Sequence, residues 1–168
     1  YQAQYGRQLG TAAEYVAFDS VRAPTLPDNT SFEVGACIGI PIMTAHRCVF
    51  ADGPVASQLI LVTGGAGRVG HYAIQWAHRA GARVIATASN EEDATACREA
   101  GAEAVVNHRV PDWGKAVLDL TEGQKIDRVI DVEFGANLPE LLNCVRIGAT
   151  IATSVSYTHL TLPTTTIV

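Results

Sequence analysis

The stretch that decides the fold is LILVTGGAGRVGHYAIQWAHRAGARVIATAS, which occupies residues 59–89. It opens with a continuous apolar run, residues 59–62, of the kind expected for a strand buried on both faces of a parallel sheet. Glycines follow at once, and apolar residues then recur at helical spacing as far as Gly81. A second apolar run, Arg83 to Thr87, completes a strand, a helix and a strand within about 30 residues. This order predicts a parallel βαβ unit whose first turn is rich in glycine.

The glycine turn has the spacing GxGxxG. A helix N-terminus offers a pyrophosphate unpaired N–H groups and the positive end of the helix dipole, provided that no side chain blocks the approach. Gly65 is expected to allow the tight turn, Gly67 the approach of the phosphates, and Gly70 the packing of the helix against the strand. In this βαβ context the pattern predicts dinucleotide binding rather than a purely structural turn. The candidate cofactor-binding residues here are Gly65, Ala66, Gly67, Arg68, Val69 and Gly70.

Two other interpretations of the same glycines are poorly supported by the neighbouring residues. A phosphate loop of the Walker type needs a lysine followed by serine or threonine, but His71 follows Gly70. The stretch Thr63 to Gly70 is also similar to the turn of extended short-chain dehydrogenases, which carry a Tyr-x-x-x-Lys pair. None of the tyrosines in this chain has a lysine four positions later.

Strand and helix patterns continue to alternate after residue 89, which predicts an α/β fold with a doubly wound parallel Rossmann sheet. Upstream, we expect a strand over Ala12 to Phe18 and, after capping residues that end at Ser31, a helix over Val34 to Phe50. Downstream, the expected elements are a helix from Asn90 to Gly101, a strand over Ala104 to Val106, a helix over Asp112 to Thr121, a strand over Ile126 to Val132, a helix over Leu138 to Val145 and a strand over Thr150 to Thr153.

The chain divides by pattern into three segments. Residues 1–30 are expected to be the remnant of a β-rich domain, and residues 31–153 the Rossmann dinucleotide-binding domain. Residues 154–168 are rich in threonine and follow neither the helical nor the strand period. We expect this atypical tail to lie outside the native fold.

Composition excludes several classes of function. The chain has 168 residues, a net charge of −5 and 12 lysines and arginines, too few for a basic nucleic-acid surface. No apolar run reaches the roughly 18 residues of a membrane span, and the N-terminus lacks a signal-peptide pattern. We therefore expect a cytoplasmic protein with neither nucleic acid nor membrane as a partner. The 4 cysteines form no C-x-x-C pair and are interpreted as small buried apolar residues.

Several motifs occur in the order and at the spacing of one known family. They are Gly10 to Val16, Gly39 to His46, Val62 to Gly70, Gly101-Ala102, Val106 to Arg109 and Asp131 to Asn137. With them, residues 10–153 resemble the medium-chain dehydrogenase/reductase superfamily and, within it, the zinc-free quinone oxidoreductases related to zeta-crystallin. The resemblance implies that residues 1–30 are the remnant of a GroES-like substrate domain. It also implies a sixth strand with no counterpart in the tail, so that the sheet is expected to be incomplete.

The resemblance implies the reaction as well: transfer of a hydride from a nicotinamide, NADPH, to a quinone or a related conjugated carbonyl. Such an acceptor is already electrophilic, so the protein mainly has to supply binding geometry, and no catalytic residue is assigned. Two alternatives stay open, namely a medium-chain reductase of enoyl thioesters or alkenals, and a dinucleotide-binding module without turnover. Relatives of this kind imply a homo-oligomer for the full-length protein.

The choice of NADPH over NADH depends on the end of the second strand. Enzymes that use NAD place an acidic residue there to bind the ribose, whereas this chain has Thr87-Ala88-Ser89-Asn90. The missing acid leaves room for a 2′-phosphate, with Ser89 and Asn90 as candidate donors. Asp93 counts against NADPH, since many relatives have a lysine near that position. NADPH is therefore the expected cofactor and NADH the less favoured one.

Three further positions are interpreted through the resemblance. His108 and Asn137 match family positions near the cofactor and complete the set of candidate cofactor-binding residues. Ile40 aligns with a position at which zinc alcohol dehydrogenases have a cysteine ligand, and isoleucine cannot bind zinc. We therefore expect no metal site and no zinc.

Overall fold

The structure is a computed structural model, and it describes residues 13–17 and 19–154. Within them lies one parallel sheet with the strand order β3-β2-β1-β4-β5. The strands are β1 (Leu59–Val62), β2 (Arg83–Ala88), β3 (Ala104–Asn107), β4 (Ile126–Asp131) and β5 (Val145–Thr153). The doubly wound parallel sheet predicted from the alternating pattern is therefore confirmed.

Helices cover both faces of this sheet. They are α1 (Phe32–Cys37), α2 (Ile40–Phe50), α3 (Arg68–Arg79), α4 (Glu91–Glu99), α5 (Trp113–Leu120) and α6 (Phe134–Cys144). One apolar core joins α2, α3 and α4 to the sheet, and a second joins α5 and α6 to its other face. In the part of the chain that the structure describes, no helix is both long enough and apolar enough to cross a membrane.

Strand β1 lies at the centre of both cores. Leu59 and Leu61 pack into the core beneath α5 and α6, whereas Ile60 and Val62 pack into the opposite core, and all four are fully buried. A strand that is buried on both faces favours apolar side chains at every position. The uninterrupted apolar run of residues 59–62 follows from this position.

The predicted helix over Val34 to Phe50 is wrong as a single element. The structure has α1 and α2 there, separated at Ile38 and Gly39. Pro41 lies in the first turn of α2, where its missing N–H and fixed φ fit the start of a helix, so it begins a helix rather than interrupting one. Ser31 caps α1 as expected, with its Oγ accepting a hydrogen bond of 3.3 Å from the N–H of Val34.

The predicted strand over Ala12 to Phe18 is not found in the residues that are described. Residues 13–17 belong to no strand and are all exposed, while Ala12 and Phe18 lie outside the described residues. A strand pattern needs a neighbouring strand that supplies hydrogen-bond partners, and sequence pattern alone cannot show that one is present. Residues 155–168 also lie outside the described residues, so the interpretation of the tail stays a prediction.

Two boundaries near the end of the sheet also differ from the prediction. Helix α6 begins at Phe134 rather than Leu138 and continues through Pro139. Strand β5 begins at Val145, a residue that was expected to end the preceding helix, rather than at Thr150. Strand β5 is an edge strand with many partly exposed residues, and this burial weakens the apolar pattern that marks a strand.

A buried arginine joins α2 to the sheet. Arg128 on β4 has a side chain only 5% exposed; it donates from Nη1 to the carbonyl oxygen of Cys48 (3.0 Å) and from Nη2 to Oδ2 of Asp52 (2.7 Å). Cys48 lies in the last turn of α2, where carbonyl groups lack partners within the helix and a positive charge is favourable. Arg128 therefore holds the end of this helix against β4.

Replacing Arg128 with alanine should lower the free energy of unfolding by about 2–4 kcal/mol, because the buried carbonyl of Cys48 loses its partner and a cavity forms. Arg83→Ala is the matched control. Arg83 lies on β2, and its ion pair with Glu103 is about half exposed. Its loss should cost at most about 1 kcal/mol. Urea unfolding of the two variants measures the difference, and equal losses would contradict the role given to Arg128.

The cysteines differ in burial. Cys48, Cys97 and Cys144 are buried as expected, but Cys37 at the end of α1 is exposed, so the interpretation of all four as buried residues is wrong for this one. Burial raises the pKa of the thiols of Cys48 and Cys97, and it raises the pKa of Cys144 to about 11. The buried thiols are therefore protonated at neutral pH, and the thiol form is the unreactive one.

We expect a thiol reagent at pH 8 to modify Cys37 rapidly and the other three cysteines only when the chain unfolds. Both burial and a raised pKa keep the fraction of accessible thiolate small at Cys48, Cys97 and Cys144. A stopped-flow absorbance assay in native buffer and in denaturant measures the two phases. Cys37→Ser should abolish the fast phase, and a fast phase that survives this substitution would show that a second thiol is accessible.

Candidate functional site

The sheet contains a topological switch point between β1 and β4. The chain leaves β1 toward β2 and β3 on one side and then returns to β4 on the other side. The turns that follow β1 and β4 therefore diverge, and a crevice forms at the carboxyl ends of the two strands. Ligands of open parallel sheets bind in such crevices. The glycine turn that follows β1 lies at this point.

The left-handed conformation in the glycine turn occurs at Gly64, which has φ of +58°, and not at Gly65. Gly65 is required for packing instead. A β-carbon there would lie 2.7 Å from Sγ of Cys97, 2.9 Å from Cδ1 of Ile74 and 3.0 Å from Cβ of Ala86. These residues belong to α4, α3 and β2. Because Gly65 has no side chain, the turn can pack against all three elements.

The other two glycines of the motif differ in their surroundings. A β-carbon on Gly70 would collide with the carbonyl oxygen of Gly64 and lie 2.9 Å from Cα of Gly65, so α3 packs directly against the turn, as predicted. A β-carbon on Gly67 would meet only the carbonyl oxygen of Gly64, at 3.1 Å, among the described residues. Gly67 is therefore the least crowded of the three glycines, and it is exposed whereas the other two are buried.

Helix α3 begins without a side-chain cap. Its N-cap is Gly67, with φ of −70° and ψ of 164°, and no side chain among the described residues accepts a hydrogen bond there. The first N–H groups of a helix have no partner within it, and they carry the positive end of its dipole. The start of α3, at Arg68 and Val69, is therefore suited to bind an anion. The Arg68 side chain itself is exposed.

The end of β2 holds the glycine turn in place. The N–H of Gly64 donates to Oγ1 of Thr87 (3.0 Å), and the N–H of Gly65 donates to the carbonyl oxygen of Thr87 (2.9 Å). Thr87 is buried. It was interpreted only as a strand residue, and the polar side chain at the end of an otherwise apolar strand was the available signal for this role.

A buried carboxylate joins the turns that follow β1 and β4. Oδ1 of Asp131 accepts hydrogen bonds from Oγ1 of Thr63 (2.7 Å) and from Nδ2 of Asn137 (2.8 Å), and its Oδ2 accepts one from the N–H of Glu133 (3.1 Å). Asp131 is fully buried, and these donors give both of its side-chain oxygens hydrogen-bond partners. The amide of Asn137 is thus oriented at the edge of the crevice. No role was assigned to Asp131 from the sequence, because its partner Thr63 is distant along the chain.

The candidate donors at the end of β2 are already bonded to an acid. Oδ2 of Asp93 accepts from Nδ2 of Asn90 (2.8 Å) and from Oγ of Ser89 (3.2 Å). Oδ1 of Asn90 accepts in turn from the N–H of Asp93 (2.9 Å), so Asn90 caps α4 as predicted. Ser89 and Asn90 therefore form one hydrogen-bonded group with the carboxylate of Asp93.

His108 follows β3 at the same edge of the sheet. The backbone N–H of His108 donates to the carbonyl oxygen of Ala88 (3.1 Å), which places this residue beside the end of β2. Its Nδ1 is buried and has no hydrogen-bond partner among the described residues. Burial, and secondly the positive charge of Arg109, lower the pKa of His108, so the ring is neutral at pH 7. A neutral ring with an unpaired polar atom is suited to contact a ligand.

The structure thus places every candidate residue at the carboxyl edge of the sheet. Gly65 to Gly70 follow β1, Ser89 and Asn90 follow β2, His108 follows β3, and Asn137 lies in the first turn of α6 after β4. In residues 13–17 and 19–154, no three His, Cys, Asp or Glu side chains form a group that could hold a metal ion. The expectation that zinc is absent stays a prediction.

The sequence of this chain was compared with protein families and with known proteins, and both comparisons find related dehydrogenases and reductases. The family model described as "Zinc-binding dehydrogenase" matches residues 69–167. The chain is 32% identical over 143 residues to the quinone oxidoreductase of Pongo abelii, which covers 84% of this chain and 44% of the relative. It is 29% identical over 168 residues to the crotonyl-CoA reductase of Streptomyces avermitilis, covering 88% of this chain and 38% of that protein. The chain thus spans less than half the length of these curated relatives.

Solved structures agree with the sequence matches. A structure titled as an NAD-dependent alcohol dehydrogenase is 35% identical and superposes with a TM-score of 0.72, covering 82% of this chain and 41% of the other. A mycobacterial protein in complex with NADPH is 32% identical, with a TM-score of 0.70, covering 76% of this chain and 40% of the other. With the parallel sheet and the glycine turn at its switch point, these matches show that the chain belongs to the zinc-binding dehydrogenase family, within the medium-chain dehydrogenase/reductase superfamily.

Proposed function

We propose that the chain is the dinucleotide-binding part of an NADPH-dependent oxidoreductase that transfers a hydride to a quinone or a related conjugated carbonyl. The observation that carries this proposal is the exposed Gly67 at the uncapped start of α3. A pyrophosphate fits there because the backbone can come close and the first N–H groups of the helix need a partner. The glycines on either side, Gly65 and Gly70, leave no room for such a ligand.

With the pyrophosphate at this position, each of the other candidate residues faces a particular part of the dinucleotide. The N–H groups of the first turn of α3, from Arg68 on, bind the pyrophosphate, and the end of β2, at Ser89 and Asn90, faces the adenosine ribose. His108, beside that strand end, contacts the adenosine half of the ligand. Asn137 is held by Asp131 on the opposite side of the glycine turn, and it orients the nicotinamide half. The bound dinucleotide supplies the hydride.

The proposed hydride acceptor is based on the relatives and on the side chains at the carboxyl edge of the sheet. Conjugated carbonyls and quinones are electrophilic, so the reaction needs orientation more than acid catalysis. Asp131, the buried acid at the crevice, accepts three hydrogen bonds and therefore acts as a positioning residue for Asn137 and for the turn. The crotonyl-CoA reductase relative favours a second candidate acceptor, an enoyl thioester.

A fluorescence titration with NADPH and, separately, with NADH tests the binding half of the proposal. We expect saturable binding of NADPH by the folded chain. The product of the complete gene should then oxidise NADPH in the presence of a quinone, followed by absorbance at the nicotinamide band. Turnover with an enoyl thioester but not with a quinone would favour the second candidate. Binding without any turnover would identify a binding module, and a folded chain that binds neither dinucleotide would refute the proposal.

Substitutions in the glycine turn test where the ligand lies. Gly67→Ala should lower the free energy of unfolding by about 1 kcal/mol or less, because its backbone angles suit alanine and only the carbonyl oxygen of Gly64 has to move slightly among the described residues. The same change should weaken NADPH binding by at least about tenfold, because the methyl group occupies the pyrophosphate position.

Gly70→Ala is the contrasting variant. Its β-carbon would meet backbone atoms of Gly64 and Gly65, so it should destabilise the chain by about 2 kcal/mol or more. Urea unfolding and NADPH titration of both variants give the two measurements. Unchanged NADPH affinity in the folded Gly67→Ala variant would place the ligand elsewhere.

A further inference from the structure

The carboxylate of Asp93 is hydrogen-bonded to Ser89 and Asn90, the two side chains that the sequence predicts as donors to a 2′-phosphate. Its Oδ2 lies 2.8 Å from Nδ2 of Asn90 and 3.2 Å from Oγ of Ser89. Its backbone N–H is held by Oδ1 of Asn90, and the side chain is half-buried. The carboxylate is therefore anchored to both donors by a reciprocal set of hydrogen bonds.

A phosphate that used the same donors would come close to this carboxylate. Two acceptors that share one donor group at hydrogen-bond distance lie about 4–5 Å apart. Like charges at that separation repel strongly near a protein surface, and salt screens the repulsion only in part. Binding a 2′-phosphate therefore requires either that Asp93 gives up its hydrogen bonds or that the two anions stay close together.

The acids around Asp93 add to this repulsion, and Arg109 beside His108 is the cation that can reduce it. Glu91 and Glu92 share the first turn of α4 with it, and Arg98 is paired with Glu91 at 2.7 Å. His108 is neutral at pH 7, which leaves Arg109 as the neighbouring cation.

A ribose hydroxyl meets the opposite situation at the same place. It can donate a hydrogen bond to a carboxylate, as the acidic residue after the second strand does for the ribose in enzymes that use NAD. In this chain the strand end itself carries no acid, but Asp93 supplies a carboxylate one helical turn later.

We propose that Asp93 is the residue that sets the choice between NADPH and NADH, and that its carboxylate reduces the preference for NADPH to less than about tenfold. This inference rests on the proposed function, because it assumes that the end of β2 faces the adenosine ribose. The chain is then expected to accept both dinucleotides, and Asp93 is the side chain that brings their affinities close together.

Asp93→Asn tests the inference, since asparagine keeps an acceptor oxygen for Ser89 and Asn90 but removes the charge. Glu92→Gln is the matched control, because it removes the same charge from the same helical turn. NADPH and NADH titrations of the 168-residue chain give the ratio of the two dissociation constants for each protein. We expect Asp93→Asn to shift the ratio toward NADPH by about tenfold, equivalent to 1.4 kcal/mol, and Glu92→Gln to shift it by less than about twofold.

The outcomes separate this inference from the proposed function. A ratio unchanged in Asp93→Asn, or shifted equally by Glu92→Gln, would overturn the role of Asp93 while leaving dinucleotide binding in place. Absence of binding of either dinucleotide to the parent chain would overturn both. Circular dichroism and a cooperative urea transition establish that each variant is folded before its titration is interpreted.

Discussion

The structure depends on one close approach, that of α3 to the turn after β1, where neither Gly65 nor Gly70 has room for a β-carbon. The approach brings α3 against the end of β1 and aligns its start with the crevice between β1 and β4. It also brings Ile74 and Cys97 beneath the turn, so that the core and the candidate site share the same contacts. At Gly70 the backbone of the turn itself fills this space, so repacking of side chains cannot relieve a substitution there, whereas at Gly65 the space is filled by the side chains of Cys97, Ile74 and Ala86.

Burial of the sheet on both faces restricts polar chemistry to its carboxyl edge. Apart from Arg128 on β4, the buried polar side chains of the sheet, Thr63, Thr87 and Asp131, lie where three of the strands end. Thr87 bonds to the backbone of the glycine turn, while Thr63 and Asp131 join the turns on the two sides of the crevice. Each polar group is hydrogen-bonded at another strand end, so these bonds hold the turns together in addition to the contacts with the apolar core.

Much of the fold could be predicted from the sequence because it follows from local rules. The apolar run of β1, the cap at Asn90 and the helix ends at Gly81 and Gly101, both of which have positive φ, each depend on neighbouring residues. The contact between Thr63 and Asp131 joins residues 68 positions apart and has no local signal. The predicted strand over Ala12 to Phe18 failed for a related reason: strand propensity is local, but the partner that makes a strand is not.

Helices α3 and α4 show two uses of the same physical feature. Each begins after a strand at the carboxyl edge, and each presents unpaired N–H groups and a positive dipole end there. In α4 the chain itself satisfies this end, through the Asn90 cap and the acids Glu91, Glu92 and Asp93. In α3 a glycine stands at the cap and no acid lies in the first turn. An external anion is therefore favoured at α3 and opposed at α4. The same carboxylate of Asp93 that stabilises α4 thus acts against the one part of NADPH that distinguishes it from NADH.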